Sequence, residues 1–518
     1  MDKFYTTTAI DYVNGVPHIG HAYEKILTDV IARHFSQRIN DGDDVYFLTG
    51  TDEHGIKIQK TAAEKGISPK QMCDENSNQF IETWKLLDIN YSQFIRTTDE
   101  SHKKAVQKIF KKLVEKGDIY KHSYTGLYCS GCECFLNQKD LTEEGFCPVH
   151  MKKPEEISEE NYFFKLTKYK DAIIKHIKEN PDFIVPAFRA NEVLNQLENI
   201  EDISVSRAKA NVTWGIDVLD DAEQVIYVWI DALSNYITAI GYDTENPSDK
   251  FKKYWPAEVH VIGKDILKFH SIYWIAILMA LEIELPKKIL AHGWITIDQS
   301  KMSKSTGNVI SPKSVLESFD LKTPDAFRYY MATAASLGKD GNYSDDDFKE
   351  KVNADLANNM GNLLNRTLSM LVKYFDGEIK SEFKSTCEIN ALETVQKVKK
   401  HFDNYEIQEA ANEIISLVNL TNKYIADSAP WALAKTDLIE CGKVLTNVLE
   451  IMCVVTALIY PYCPNIAEEM AQQLKFDLKT KLDDLTLNNL KVGKLISQEE
   501  IKPVFLRLDS EFATNKKS

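Results

Sequence analysis

The sequence contains no apolar run long enough to span a bilayer. A spanning helix needs about 18 or more consecutive apolar residues, and the densest run here, Ile272 to Leu281 (IYWIAILMAL), is short enough to be a buried helix. The N-terminal MDKFYTTTAIDYVNG lacks the basic segment and apolar core of a secretory leader. These absences set aside a membrane partner and imply a cytoplasmic protein. An excess of positive charge is missing as well: the formal net charge is −15 over 518 residues. Chains that coat nucleic acid without specificity are usually basic, so RNA binding here would need local patches and specific contacts. Cysteine is sparse and odd in number, at nine, which argues against a disulfide framework. No internal repeat or long low-complexity tract is present, which sets aside repeat architectures.

What is present is ordinary globular composition, with 44% hydrophobic and 27% charged residues. At roughly 100–200 residues per domain, the length implies about three to four domains. Residues 1–50 read as strand, glycine-bearing loop, helix and strand. Ala22, Ile26, Leu27, Val30, Ile31 and Phe35 fall at helical spacing, and DVYFLTG (Asp44 to Gly50) is β-rich and ends in glycine. This opens a βαβ unit. The pattern returns with EVHVIG (Glu258 to Gly263) as a strand, Asp265 to Leu281 as a helix and KKILAHGWITI (Lys287 to Ile297) as a strand region. Between the halves lies a charged, cysteine-bearing segment that reads as an insertion. After about residue 350 strand signals fade and glycine becomes scarce, as in a helical bundle. The expected divisions are residues 1–115, an insertion over 116–225, a second half over 226–300, a loop and stem-contact region over 301–350, and a bundle over 351–518.

Four of the cysteines cluster, which in a reducing compartment points to metal. Cys129-x2-Cys132 and Cys147-x2-His150 form two close pairs of N/S ligands, matching one tetrahedral structural zinc. Cys134 could compete with Cys132. No ligand position is left open for catalysis.

The loop NGVPHIGH (Asn14 to His21) places His18 and His21 around Gly20 at the start of a helix. A helix N-terminus offers N–H groups and positive dipole character to phosphate, Gly20 lets a nucleotide approach the backbone, and the histidines can donate to phosphate oxygens. Alone, this is equally a pair of histidines in a turn. The second element is KMSKS (Lys301 to Ser305), whose Lys301, Ser303 and Lys304 suit a mobile cationic loop over a triphosphate. The pair, in this order on α/β scaffolding, resembles the signature of class I aminoacyl-tRNA synthetases. AIDYVNGVPHIGH, GTDEHG, YVWIDALSNY, GKDILKFH and AHGWITIDQSKMSKS extend the likeness to methionyl-tRNA synthetases over most of the chain.

The resemblance implies an α/β Rossmann-type catalytic domain, split by the zinc-binding insertion and followed by an all-α helical-bundle anticodon-binding domain. It implies that Ile10, Tyr12, Trp229, Ala232, Leu233, Tyr236, Ile266 and His270 line a methionine pocket. Aromatic walls and a hydrogen-bond donor suit a flexible, polarizable thioether. Asp52 would hold the substrate ammonium, with Arg207 organising that acidic end. Gly263, Asp265, His292, Gly293, Trp294 and Ile295 would surround adenosine. His18, His21, Lys301 and Lys304 would be catalytic, with Mg2+ accompanying ATP. Asn358, Asn362 and Arg366 recur every four residues on one helical face, and Trp431 can stack on an unpaired base; both segments resemble anticodon-binding elements. The implied partners are ATP, L-methionine and tRNA(Met), initiator and elongator, and a monomer is expected because no dimerising domain is seen. Two rivals stand beside this reading. Another class I synthetase would carry a larger editing insertion or dispersed zinc ligands, and an inert RNA-binding scaffold would have no need of intact signature loops.

Overall fold

In the computed structural model, residues 3–39, 44–129, 134–136, 138, 141–149, 151–297, 309–384 and 387–508 are described. The first strand, Phe4–Thr8 (FYTTT), is buried along its whole length. A parallel strand covered on both faces needs such an unbroken run, and two of its three threonine hydroxyls find partners inside: Thr8 Oγ1 lies 2.8 Å from Thr49 Oγ1, and Thr7 Oγ1 2.7 Å from His260 Nδ1. Phe4–Thr8 pairs in parallel with Val45–Asp52 on one side and with Val259–Gly263 on the other. Val45–Asp52 pairs further with Asp11–Tyr12 and Gln93–Arg96. Val259–Gly263 pairs with Ile289–His292, and that strand with Ile184–Val185. All these pairings are parallel. The outermost strand is thus drawn from the segment between the two halves.

The chain moves one way from Phe4–Thr8 in its first half and the other way in its second. The direction of winding switches between Phe4–Thr8 and Val259–Gly263, and a ligand crevice forms beyond the C-terminal ends of strands at such a point.

The helix Ile19–Ser36 carries its apolar residues at the expected spacing, yet every residue from Ala22 to Phe35 is buried. It has no solvated face because sheet and neighbouring helices enclose it. The intervening segment forms an antiparallel sheet of Cys134–Leu136, Ile119–Cys129, Glu155–Phe164 and Ile203–Ser204.

Beyond residue 350 the helices Asn362–Phe375, Ala391–Asp403, Ile407–Ser428, Leu438–Ile459 and Pro464–Leu474 form the bundle. Leu438–Ile459, 22 residues long, is apolar enough to cross a membrane by length and composition, but 94% of its apolar window is buried inside the protein. Its charged Glu450 is paired within the core: the carboxylate accepts from Asn489 N at 2.7 Å and Leu490 N at 3.1 Å. The helix is the central rod of the bundle.

Candidate active site

A cavity of about 350 Å3 opens at the winding switch. One wall is the start of the helix Ile19–Ser36. His18 is its N-cap, and its Nδ1 accepts from Gly20 N at 3.1 Å, while His21 Nδ1 accepts from His18 N at 3.2 Å. The rings stack with centroids 3.7 Å apart. Because both Nδ1 atoms accept, a neutral ring carries its hydrogen on Nε2, as a donor. The arrangement differs from the sequence expectation in one respect: the first N–H groups of this helix are not waiting for phosphate. Gly20 N is capped by His18, and Ile19 N donates to Ile310 O at 3.0 Å. The histidines, rather than the bare helix end, carry the donor capacity. The bond to Ile310 also ties this helix to the chain just past the KMSKS segment.

The opposite wall comes from Val259–Gly263 and Ile289–His292. Trp294 is fastened from three sides: Nε1 donates to Asp265 Oδ1 at 3.0 Å, N to Asp340 Oδ1 at 2.8 Å, and the ring lies under Lys264 Nζ at 4.2 Å. Gly293 permits this packing, since a Cβ there would sit 2.0 Å from Lys339 O. The cavity is lined by Ile10, Tyr12, His18, Gly20, His21, Gly263, Asp265, Ile266, His292, Gly293, Trp294 and Ile295, all singled out from sequence, and by Ala9, Asp11, Glu24 and Lys25, which were not.

Those additional residues are chemically prominent. Lys25, only 1% exposed, donates to Asp11 Oδ1 at 2.7 Å, Glu24 Oε1 at 3.0 Å and Ala9 O at 3.1 Å. Glu24 Oε2 meets His292 Nε2 at 3.0 Å. Burial raises the Asp11 carboxyl to about 7 against the pull of Lys25, with Glu24 adding repulsion. Glu24 is held low despite burial by Lys25 and His292. In sequence, Glu24 and Lys25 look like solvated helix positions; no local signal marks them.

Asp52, Trp229, Ala232, Leu233, Tyr236 and His270 lie outside that lining. Ala232, Leu233 and Tyr236 are buried along the helix Val228–Thr238, and Trp229 stacks on Phe269 at 3.7 Å with 5° between planes. His270 sits in a π-helical turn, Phe269–Trp274, a distortion common at functional sites. Its Nδ1 must donate to Ile266 O at 3.0 Å, so Nε2 accepts from Tyr236 Oη at 2.7 Å. Burial lowers His270 to about 4, in keeping with a neutral ring. Both hydrogens of this pair are spent within the protein. It presents ring faces and an oxygen lone pair.

Asp52 ends the strand Val45–Asp52 and is paired in register with Tyr12. Arg207 donates to Ser206 O at 2.7 Å and Ser204 Oγ at 2.9 Å, and lies over the Tyr227 ring at 4.3 Å. Lys301, Ser303, Lys304, Cys132 and His150 lie outside the described residues. Cys129 and Cys147 are buried, and the backbone of Cys129 is paired in antiparallel register with that of Cys134. Cys147 is set in a tight turn in which Met151 N donates to Cys147 O at 2.8 Å and Cys147 N to Lys152 O at 2.9 Å. Among the described residues no three His, Cys, Asp or Glu side chains converge as metal ligands; two of the four proposed ligands are not among them.

In the bundle, Asn358, Asn362 and Arg366 are exposed, and Trp431 is 47% exposed. Asn358 belongs to a π-helical stretch, Asn353–Gly361, so the four-residue repeat crosses a change of pitch. Arg366 Nη2 donates to Asn422 Oδ1 at 2.6 Å, and Asn359 joins Asn419 at 2.8 Å and Asn422 at 2.6 Å. This cross-helix asparagine ladder was not foreseen, although asparagine recurs in both helices.

A parallel sheet with a histidine-capped helix at its switch point is the frame of a class I synthetase. The family model described as tRNA synthetases class I (M) matches residues 4–156 and 139–368, and that described as the anticodon binding domain of methionyl tRNA ligase matches residues 377–511. The methionine–tRNA ligase of Caldanaerobacter subterraneus subsp. tengcongensis is 45% identical over 518 residues, covering 98% of this chain and 79% of the relative. That of Thermotoga maritima is 42% identical over 520 residues, covering 98% and 81%. Mycobacterium tuberculosis methionyl-tRNA synthetase in complex with methionyl-adenylate superposes with a TM-score of 0.90 at 35% identity, covering 98% of this chain and 100% of that one. Its apo form gives 0.84 at 32% identity, covering 98% and 99%. The chain belongs to the methionyl-tRNA synthetase family of class I tRNA synthetases.

Proposed function

We infer that this chain is a methionine–tRNA ligase. It joins methionine to ATP as methionyl-adenylate, releasing pyrophosphate, and then transfers methionine to the terminal adenosine of tRNA(Met), initiator or elongator. The observation that carries this reading is the cavity at the winding switch, with His18 and His21 on one wall and Asp265, His292 and Trp294 on the other, in a chain of this family.

The protein's work is positioning and charge stabilisation. The methionine carboxylate attacks the α-phosphorus. His18 and His21 present Nε2–H donors to the phosphate oxygens, while Lys301 and Lys304 take up the charge of the departing pyrophosphate. Bound with ATP, Mg2+ would supply further charge neutralisation at the phosphates beside these side chains. Gly263, Asp265, His292, Gly293, Trp294 and Ile295 hold adenosine. Asp52 holds the substrate ammonium, Arg207 supports that end through the packed Tyr227, and Trp229, Tyr236 and His270 form the thioether pocket with Ile10, Tyr12, Ala232, Leu233 and Ile266. Asn358, Asn362, Arg366 and Trp431 read the anticodon. Cys129 and Cys147, buried thiols in a small β-hairpin segment and a tight turn, are suited with Cys132 and His150 to hold one structural zinc. The reaction belongs in the cytoplasm.

Methionine-dependent exchange of pyrophosphate into ATP, followed by charging of tRNA(Met), tests the reading. Exchange driven by methionine but not by leucine, valine or cysteine is expected. Absence of exchange in folded protein would instead leave an RNA-binding scaffold.

A further inference from the structure

A buried cluster of titratable groups lies outside the steps described above. Asp231, 1% exposed, accepts from two imidazoles: His54 Nδ1 at 2.7 Å on Oδ2 and His102 Nε2 at 2.7 Å on Oδ1. His102 Nδ1 in turn meets Thr238 Oγ1 at 2.7 Å. All three titratable side chains are buried. The imidazoles hold the Asp231 carboxyl below its ordinary value even though burial alone would raise it.

The cluster joins parts of the chain that are far apart in sequence. Asp231 sits in the first turn of the helix Val228–Thr238, between Trp229 and Ala232. His54 stands two residues beyond Asp52, and its carbonyl also accepts from Tyr12 Oη at 2.9 Å. His102 lies on the helix Glu100–Glu115. One carboxylate therefore pins the helix that bears the thioether-pocket residues to the turn that bears the ammonium anchor. A carboxylate can do this because each oxygen serves one imidazole; an amide has a single acceptor oxygen.

We propose that Asp231 is a positioning residue that fixes the separation between the two ends of the methionine site, and thereby the side-chain length the enzyme accepts. This rests on Asp52 and the Trp229–Tyr236 face being the two ends of that site. A hydrophobic pocket distinguishes one methylene by roughly 10–200-fold at best, and only if its walls cannot shift. The doubly anchored helix supplies that rigidity.

The test is pyrophosphate exchange by the full chain with methionine and with ethionine, which is one methylene longer. In Asp231→Asn, one imidazole loses its acceptor. The methionine KM should rise by about tenfold or more, the ATP KM should stay within about twofold, and the ethionine-to-methionine ratio of kcat/KM should rise by about fivefold or more, since the discrimination being relaxed is of the size one methylene provides. Parallel rises in both KM values, or an unchanged ratio, would overturn the proposal. Thr238→Val keeps the carboxylate and the side-chain shape while removing the hydroxyl from His102. It should shift the ratio in the same direction by a smaller factor, and it decides the matter if the first variant fails to fold: an unchanged ratio would overturn the proposal there too. Lack of methionine-dependent exchange by the unsubstituted chain would count against the ligase reading itself.

Discussion

Arg328 Nη2 donates to Asp29 Oδ2 at 2.6 Å, and both side chains are fully buried. The same guanidinium donates to Leu87 O and Asp88 O, each at 3.1 Å, to Pro461 O at 3.0 Å and to Tyr462 O at 3.2 Å. Asp29 also accepts from Arg33 Nε and from Asn90 N, each at 2.8 Å, and the two guanidiniums hold its carboxyl low although burial opposes this. Asp29 lies on the helix that His18 caps; Pro461 and Tyr462 follow the central rod of the bundle. One side chain thus fastens the helix Ile19–Ser36 to the helical bundle.

Removing one partner of a buried ion pair strands the other, at a cost of about 3–5 kcal/mol. Arg328→Met should lower unfolding stability by that amount in urea titrations. A loss below about 1 kcal/mol would show that the remaining Arg33 contact suffices, a range typical of exposed pairs.

Asp325 gives a pH signature. Burial raises its carboxyl from 3.8 to about 6, against Asn465 and Ile466 N–H, which favour the ionised form. The folded state therefore holds this proton more tightly than the unfolded chain. Its contribution is fully present below about pH 4 and is lost as pH rises to about 6, by about 3 kcal/mol. Asp325→Asn lacks this dependence because an amide does not titrate here, and a flip of the Asn465 amide keeps their hydrogen bond. The stability of wild type minus variant should fall across that window, and a flat difference would reject the assignment.

Lys304 should act as charge moves in the transition state. Lys304→Ala is expected to lower kcat for adenylate formation far more than it raises the methionine KM. Normal kcat with weaker methionine binding would place the lysine elsewhere.

The zinc assignment predicts one metal ion per chain by elemental analysis. Cys147→Ser should lose the metal together with thermal stability. Full metal retention in that variant would remove Cys147 from the ligand set.

Trp431 is half-exposed at the end of the bundle, as a base-stacking residue must be. Trp431→Ala should weaken tRNA charging by about 1–3 kcal/mol and leave tRNA-independent exchange near wild type. Equal loss in both assays would mark a packing role.

The residues recovered from sequence share a property: their chemistry is declared by neighbours in the chain. His18, Gly20 and His21 form one loop, and Gly293 and Trp294 follow one strand. The family likeness of these motifs then placed residues that no local pattern could. What escaped depends on distant partners. Glu24 meets His292, 268 positions away, and Lys25 is buried only because Asp11 and Glu24 accompany it. Arg328 reads as an ordinary helix arginine until four separate carbonyls converge on it. Asp265 to Leu281 was expected as one helix; a 3-10 turn and a π-helical turn precede its α-helical end. The strand Ile184–Val185 is two residues long, too short for any alternation to register.

The apolar rod Leu438–Ile459 also shapes how the chain must be made. It leaves the ribosome before Pro464–Leu474 and before Leu482, Leu485, Leu490, Leu495 and Ile496, which close over the same core. At 1.5 Å per residue it is about 33 Å long, close to the hydrocarbon thickness of a bilayer. Asn362–Phe375, Ala391–Asp403 and Ile407–Ser428, made earlier, already pack on this rod, and only the side met by Pro464–Leu474 still waits for its cover. The residues past 460 therefore close the last side of the rod: a chain stopped there would carry an apolar stripe in place of a finished core.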